Sequence, residues 1–410
     1  MTLLSDVTVI ELGQIIAGPL AGSQLGDLGA QVVKVEPPGG EPARTIDPRM
    51  GGISSYFAGV NRNKDYVAID LKTDEGRSAF RRLAAEADVI VENFRPDTMD
   101  RLGLGPDVLR AANEELIYCA INGYRCGSTY EDLPAFDGVV QALGGTMHIT
   151  GTESGPPVRC GVPVADIAAA MYAVQSIMAA LYRRSHDAGG CHIEIPLLDA
   201  VVSLLTVRAG HSFATGEPYP RRNTHSSIAP WTVFETADGY LSVSVTSERL
   251  WTSFCRAIDR TDLIDDPRFE SNRKRVDHAE ALYDILRPLF RERSAREWFD
   301  RMKREGAPAA PVYDTIEMWD DPYIDEMGLA KTVPDPSKAR SGTGDPGNDS
   351  RDGPHADGVT LLQSPIVLDS DRLPIRTAPR PPGDDTESVL RAVGYSEAEI
   401  EALRADGVVE

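Results

Sequence analysis

Six short runs of β-branched and apolar residues dominate the first 200 positions and leave few folds open. VTVIEL (7–12), QVVKVE (31–36), YVAIDL (66–71), DVIVEN (88–93), LIYCAI (116–121) and CHIEIPLL (191–198) each read as a strand. Helical patterns separate several of them, among them TDEGRSAFRRLAAEA, which opens on Thr73 as its cap. Strands apolar along their whole length, alternating with helices, predict a parallel sheet covered on both faces and joined by right-handed crossovers. In such sheets ligands collect at the carboxyl ends of the strands, so the loops that follow them are the places to search.

The pattern changes near residue 200. LLDAVVSLLTVRAGHSFATG reads as a connecting helix, placing a linker over 201–224. WTVFETADGYLSVSV then predicts a β-hairpin turning at Asp238-Gly239, and helices follow near 247–258, 279–292 and 294–304. The expected architecture is α/β: a Rossmann-like parallel-sheet large domain begun by residues 1–200, then a small α+β domain over 225–315. The chain returns to the large domain over 316–410. Residues 333–358 are nearly all Pro, Gly, Asp and Ser and read as an exposed, flexible insertion. A capping box at Ser396 and Glu399 marks a final helix.

Charge and cysteine usage exclude several functions. A net charge of −21 disfavours binding to nucleic acid or to an anionic membrane surface. No apolar run reaches 18 residues, so no membrane span is expected. The five cysteines show no paired spacing for zinc or a disulfide framework, and MTLLSDVTVIELGQ lacks a secretory signal, which together predict a cytoplasmic protein. Thirty-five arginines against 7 lysines, with 37 aspartates against 26 glutamates, fit a protein kept soluble in concentrated salt, a GC-rich genome, or both.

Dinucleotide binding is a poor fit, because the glycines at 13, 18, 22, 26 and 29 do not follow the GxGxxG spacing. Those small residues imply either close packing or close approach of a ligand to the backbone. VENFRPDTMDRLGLG (91–105) places Asn93, Phe94, Arg95 and Arg101 just beyond a strand, where they suit an adenine and its phosphates or simply a solvated loop. Lys72 follows another strand in a lysine-poor chain. No GxSxG is present, the histidines are dispersed, and no metal-ligand spacing occurs. Asp166 stands at the threshold of a long Ala-rich helix, where position alone makes it an N-cap.

Together these segments resemble the class III CoA-transferases, the group that includes formyl-CoA transferase, and the related α-methylacyl-CoA racemases. The resemblance rests on VIELGQIIAGPLAGSQLGDLGAQVVKVEPP, VENFRP, PVRCGVPVADIAAAMYAV, NTHSSIAPWTVFETADGYLSV and GAPAAPVYDTIE, in that order, with 333–358 the main departure. It implies that Asp166 is the catalytic nucleophile and that CoA contacts fall on Ile15, Ile16, Ala17, Lys72, Asn93, Phe94, Arg95 and Arg101. Phe136 and Asp137 would lie near the reacting atoms. It also implies an interlocked homodimer, acyl-CoA and carboxylate substrates, coenzyme A as substrate with no tightly bound cofactor, and no metal. Ile16, Pro37 and Pro134 stand where formyl-CoA transferase has glutamine, arginine and lysine, leaving Arg44 and Arg125 as alternative phosphate ligands. Racemases of the group carry histidine where this chain has Phe136, and a side chain without a proton cannot serve two-base exchange, so transfer is favoured. The alternatives are a 2-methylacyl-CoA racemase and a non-catalytic acyl-CoA-binding protein. Short dicarboxylates are the expected acids, with Arg159 and Arg222 as candidates to meet a second carboxylate.

Overall fold

A computed structural model of the chain describes residues 3–186, 188–334 and 358–410. The chain forms two compact units, one comprising Met1–Thr146, Arg159–Gly210 and Gly328–Glu410, the other Met147–Val158 and His211–Met327.

The first unit is built on six strands: β1 (Thr8–Glu11), β2 (Gln31–Glu36), β3 (Asp65–Ala68), β4 (Val89–Glu92), β5 (Ile117–Asn122) and β6 (His192–Pro196). Each coincides with one of the six apolar runs. All neighbours are parallel, in the order β3-β2-β1-β4-β5-β6. Alternate side chains feed two cores: Val9, Val91 and Cys119 enter one face, and Ile10, Ile90 and Tyr118 the other. Helices α1 (Ala17–Asp27) and α3 (Val164–Arg184) contribute to the first core. Helices Asp74–Ala85, Thr386–Ala392 and Glu397–Ala405 contribute to the second, the last with the Ser396–Glu399 capping box.

By length and composition α3 is apolar enough to cross a membrane, although no uninterrupted 18-residue apolar run marks it. Here Ala165, Ala168, Ala169, Ala170, Ala173 and Ala180 are buried along it, and their small side chains let it lie close to α1 and the sheet. Where the sequence suggests one connecting helix over 201–224, the chain breaks it into Leu197–Ser203 and Thr206–Thr215. Residues 335–357 of the expected insertion lie outside the described residues. Its ends do not: Val333, Pro334 and Gly358 pair in antiparallel strands.

The second unit carries an antiparallel sheet of Trp231–Glu235, Tyr240–Ser244 and Ala309–Pro311. The first two strands form the hairpin turned at Asp238-Gly239. Helices Glu248–Ala257, Ala279–Phe290 and Ala295–Glu305 close an aromatic core containing Trp251, Phe254, Phe290 and Trp298.

The strand order places β1 beside both β2 and β4, so the chain leaves β1 in one direction and later resumes on its other side. The carboxyl ends of β1 and β4 form the switch point where open parallel sheets bind ligands.

Candidate active site

Two loops meet at that switch point. After β1 the chain runs through Gly13, Gln14, Ile15 and Ile16 into α1, and Asn93 at the end of β4 reaches across to hold it. The Gln14 amide donates to Asn93 Oδ1 at 2.7 Å, and Asn93 Nδ2 donates back to the Gln14 carbonyl at 2.9 Å. The next residue, Ile15, has φ 68°, which strains a β-branched side chain. Its amide donates to Glu41 Oε2 at 2.7 Å. A Cβ on Gly18 would lie 2.8 Å from the Gly13 Cα and 3.2 Å from Asn93 Oδ1. These two glycines therefore serve packing of the loop against its own helix.

Beneath the loop lies a buried charge cluster. Lys34 and Lys64, each 2% exposed or less, both bind Glu11, at 3.3 and 2.8 Å; Lys34 also pairs with Glu41 at 2.9 Å. Lys34 donates to the Gly13 carbonyl at 2.7 Å, and Lys64 to the Pro19 carbonyl at 2.8 Å. Burial pushes Lys64 down to about 8, against the pull of Glu11. Arg44, a candidate phosphate ligand, grips Glu36 at 2.7 and 2.6 Å and lines neither cavity described below. A lysine inside the otherwise apolar run QVVKVE was the sequence signal for this cluster, since a buried ammonium requires partners. The partner Glu41 carried no such signal.

Two adjoining cavities flank the loop and share Gln14, Phe94 and Thr98 as walls. The larger, about 460 Å³, is lined by Leu12, Val35, Ile69, Leu71 and Leu102, with Lys72 and Arg101 also in its wall. The smaller, about 330 Å³, brings together Ile15, Ile16, Ala17, Asn93, Arg95, Phe136, Asp137 and Asp166. Every residue implied by the resemblance thus falls on one of two neighbouring cavities at the sheet's switch point. Of the three departures, Pro37 lines the larger cavity, and Pro134 and Ile16 line the smaller. Phe94 is set by its neighbour: buried Glu92 accepts the Phe94 amide at 2.7 Å, while burial raises the Glu92 carboxyl to about 8.

Asp166 is the third residue of α3 and makes no capping hydrogen bond. Asp137 provides that bond instead. It opens α2 (Asp137–Leu143), is 7% exposed, and accepts the Ala165 amide at 2.9 Å through Oδ1 and Gln141 Nε2 at 2.6 Å through Oδ2. Gln141 in turn accepts the Cys160 amide at 3.0 Å, tying the segment before α3 to α2. With the helix capped from outside, the half-buried Asp166 carboxyl is free. Burial, and then the charge of Asp137, raise it to about 7. Tyr56, which the sequence did not single out, lies in the same field: burial, then Asp166 and Asp137, raise its hydroxyl, while Arg159 opposes them.

Comparison with known proteins decides what kind of enzyme owns this groove. A sequence model of CoA-transferase family III matches residues 4–349. The chain belongs to CoA-transferase family III. It is 35% identical over 353 residues to a succinate–glutarate CoA-transferase of Agrobacterium fabrum, covering 84% of this chain and 87% of the relative. It is also 35% identical over 346 residues to a succinyl-CoA:mesaconate CoA-transferase of Haloarcula hispanica, covering 82% and 87%. A CAIB/BAIF family protein from Brucella suis has the same fold, with TM-score 0.83 and 30% identity over 96% of this chain and 99% of that one. Acyl-CoA thioesters and carboxylic acids are accordingly the substrates of this transferase. Among its described residues, no three His, Cys, Asp or Glu side chains gather as a metal site.

Proposed function

We propose that this transferase moves CoA from an acyl-CoA to a free acid through Asp166, with short dicarboxylates as the acids. The reading rests on a carboxyl group at the mouth of an apolar helix, released from capping by Asp137 and facing the smaller cavity. The apolar larger cavity suits an adenine, with Lys72 and Arg101 placed for its phosphates and the pantetheine arm running past Phe94. The dicarboxylate choice is supported by the relatives' names, succinate–glutarate and succinyl-CoA:mesaconate.

In the proposed sequence an Asp166 oxygen attacks the thioester carbonyl, and CoA departs as thiolate with the C–S electron pair, leaving a mixed anhydride. The thiolate attacks the aspartyl carbonyl and displaces the first acid as its carboxylate. The second acid's carboxylate attacks this aspartyl-CoA thioester and releases thiolate again. Attack of that thiolate on the new acyl group frees the product and restores the Asp166 carboxylate. No proton or electron is consumed. Both intermediates hydrolyse readily, which an apolar setting slows.

The nucleophile must be ionised, and a carboxyl raised to about 7 is largely protonated in mild acid. The rate of CoA exchange is therefore expected to rise with pH through about 7 and to level above it, with a limiting slope of one on the acid side. A profile flat between pH 5 and 8 refutes this assignment.

Racemisation is disfavoured at Phe136, a 67% exposed ring in the cavity wall that carries no exchangeable proton. In deuterated buffer, mass spectrometry of a 2-methylacyl-CoA is expected to show no α-deuteration above the enzyme-free control, while CoA exchange between acids proceeds. The whole reading is tested by pairing acyl-CoA donors with carboxylate acceptors and identifying the products by mass; absence of transfer with every pair overturns it. Met171, Tyr172 and Tyr182 stand exposed on α3, and Val202 and Leu204 lie exposed nearby in the same unit, an apolar face that supports self-association as a homodimer.

A further inference from the structure

Three strands of the parallel sheet end on a buried glutamate: Glu11 on β1, Glu36 on β2 and Glu92 on β4. Two of them are neutralised, Glu11 by Lys34 and Lys64 and Glu36 by Arg44. Glu92 is not. It is 6% exposed, and among the described residues no ammonium or guanidinium opposes its charge. The titratable groups that face it are all acids: Asp100 on the helix Thr98–Arg101, and Tyr118 and Cys119 on β5. The Tyr118 hydroxyl is itself buried without a partner. A carboxyl so placed keeps its proton, because ionisation would bury an uncompensated charge. Its Oε2 accepts the Phe94 amide at 2.7 Å, closing a turn that carries the chain out of β4. Within that turn Asn93 holds the Gln14 backbone, and Phe94 forms a wall common to both cavities.

We propose that Glu92 is a positioning residue for coenzyme A: as a neutral acid it fixes the turn bearing Asn93 and Phe94, and its ionisation weakens CoA binding. This rests on reading the two cavities as the CoA site. The neutral carboxyl accepts the amide and adds no charge beneath the cavity walls. Once ionised, the same group stands unpaired beside Asp100, and the cost of burying it drives it toward water. The turn then loosens, and a new negative charge lies near a cavity that has to receive phosphates. Burial raises this carboxyl to about 8, with Asp100 adding to the rise and the Phe94 amide opposing it, which sets where the loss begins.

The probe is S-methyl-CoA, a thioether with no thiol to titrate and no acyl group to transfer, and the readout is its Kd by calorimetry from pH 6.5 to 9.5. In the parent the Kd is expected to stay level to about pH 8 and then to rise about tenfold per pH unit. Glu92→Gln keeps an oxygen to accept the Phe94 amide but cannot ionise, so its Kd is expected to stay level throughout. Glu92→Leu removes the acceptor and is expected to weaken binding about 10-fold at pH 7, a loss that appears in turnover as a higher KM for acyl-CoA rather than a lower kcat. An alkaline loss that persists in Glu92→Gln belongs to another group, such as Lys64, also near 8, and overturns the proposal. Glu92→Leu binding as tightly as Glu92→Gln overturns it too. Should Glu92→Leu fail to fold, the pH profile of Glu92→Gln decides alone. Arg101→Ala tests the underlying reading separately: an unchanged Kd places CoA outside these cavities and takes the proposal with it. A Kd weakened by Arg101→Ala, beside an alkaline loss retained in Glu92→Gln, overturns the role of Glu92 alone.

Discussion

Asp166→Asn is expected to lower CoA exchange by about 10⁴-fold or more, while CoA binding measured by calorimetry stays within about 3-fold. The substitution keeps the size of the side chain but replaces the carboxylate proposed to form the anhydride. The larger cavity, which carries Lys72 and Arg101, is left untouched. Borohydride or hydroxylamine added during turnover is expected to mark Asp166 in the parent and nothing in the variant. Stability moves the other way. The folded protein holds a proton on Asp166 up to about pH 7, whereas the unfolded chain releases it near the usual aspartate value of 3.8. Between those values the native state binds more protons, so this group's contribution to stability falls as pH rises through about 7. Asparagine carries no charge to bury, and the variant is expected to melt at a higher temperature than the parent at pH 8, with the gap closing toward pH 4. A variant that exchanges CoA normally, or one that melts below the parent at pH 8, contradicts the role assigned to this carboxyl. The loss of exchange separates a nucleophile from a helix cap, because asparagine caps a helix about as well as aspartate and would leave a capping role, and the chemistry, intact.

The sheet was legible because its strands are buried on both faces, so VIVE and LIYCAI carry their burial in their composition. The hairpin at Asp238-Gly239 and the capping box at Ser396 are equally local signals. Asp166 was visible as a residue but not as a free carboxyl, since the group that relieves it of capping, Asp137, is 29 positions earlier and meets it only through folding. Glu41 and Ile15 are likewise joined across 26 positions by a backbone amide that no sequence pattern marks. The glycines at 13 and 18 left packing and ligand approach equally open, and only the 2.8 Å clearance between them favours packing. The break between Leu197–Ser203 and Thr206–Thr215 escaped notice because apolar residues continue straight through it. Long-range pairing of polar groups is where sequence reasoning stops.

Glu11→Ala is expected to destabilise the large unit by about 3–5 kcal/mol, the usual consequence of removing one partner from a buried ion cluster. Glu11 is fully buried and binds both Lys34 and Lys64, and neither lysine has water to replace it. Lys34 retains Glu41, but Lys64 is left with neutral acceptors only: the carbonyls of Pro19 and Val60 and the side chain of Asn61. Its ammonium, already driven to about 8 by burial with Glu11 present, loses its proton more readily still, so the variant's loss should shrink as pH rises toward 8 and stay level above it. An exposed control defines the contrast. Arg287→Ala removes pairs with Glu280 and Asp284 on an open helix face and is expected to change stability by no more than about 0.5 kcal/mol. Urea midpoints for the two variants, read from pH 6 to pH 9, decide the matter. The same cluster also holds the Gly13 and Pro19 carbonyls on either side of Ile15, so loosening it relaxes a strained loop that lines the cavity containing Asp166. Loss of kcat should therefore accompany loss of stability in Glu11→Ala. The double variant Glu11→Leu with Lys64→Met should recover stability without recovering turnover, because apolar side chains of matching size fill the space while the Pro19 carbonyl is left without its donor.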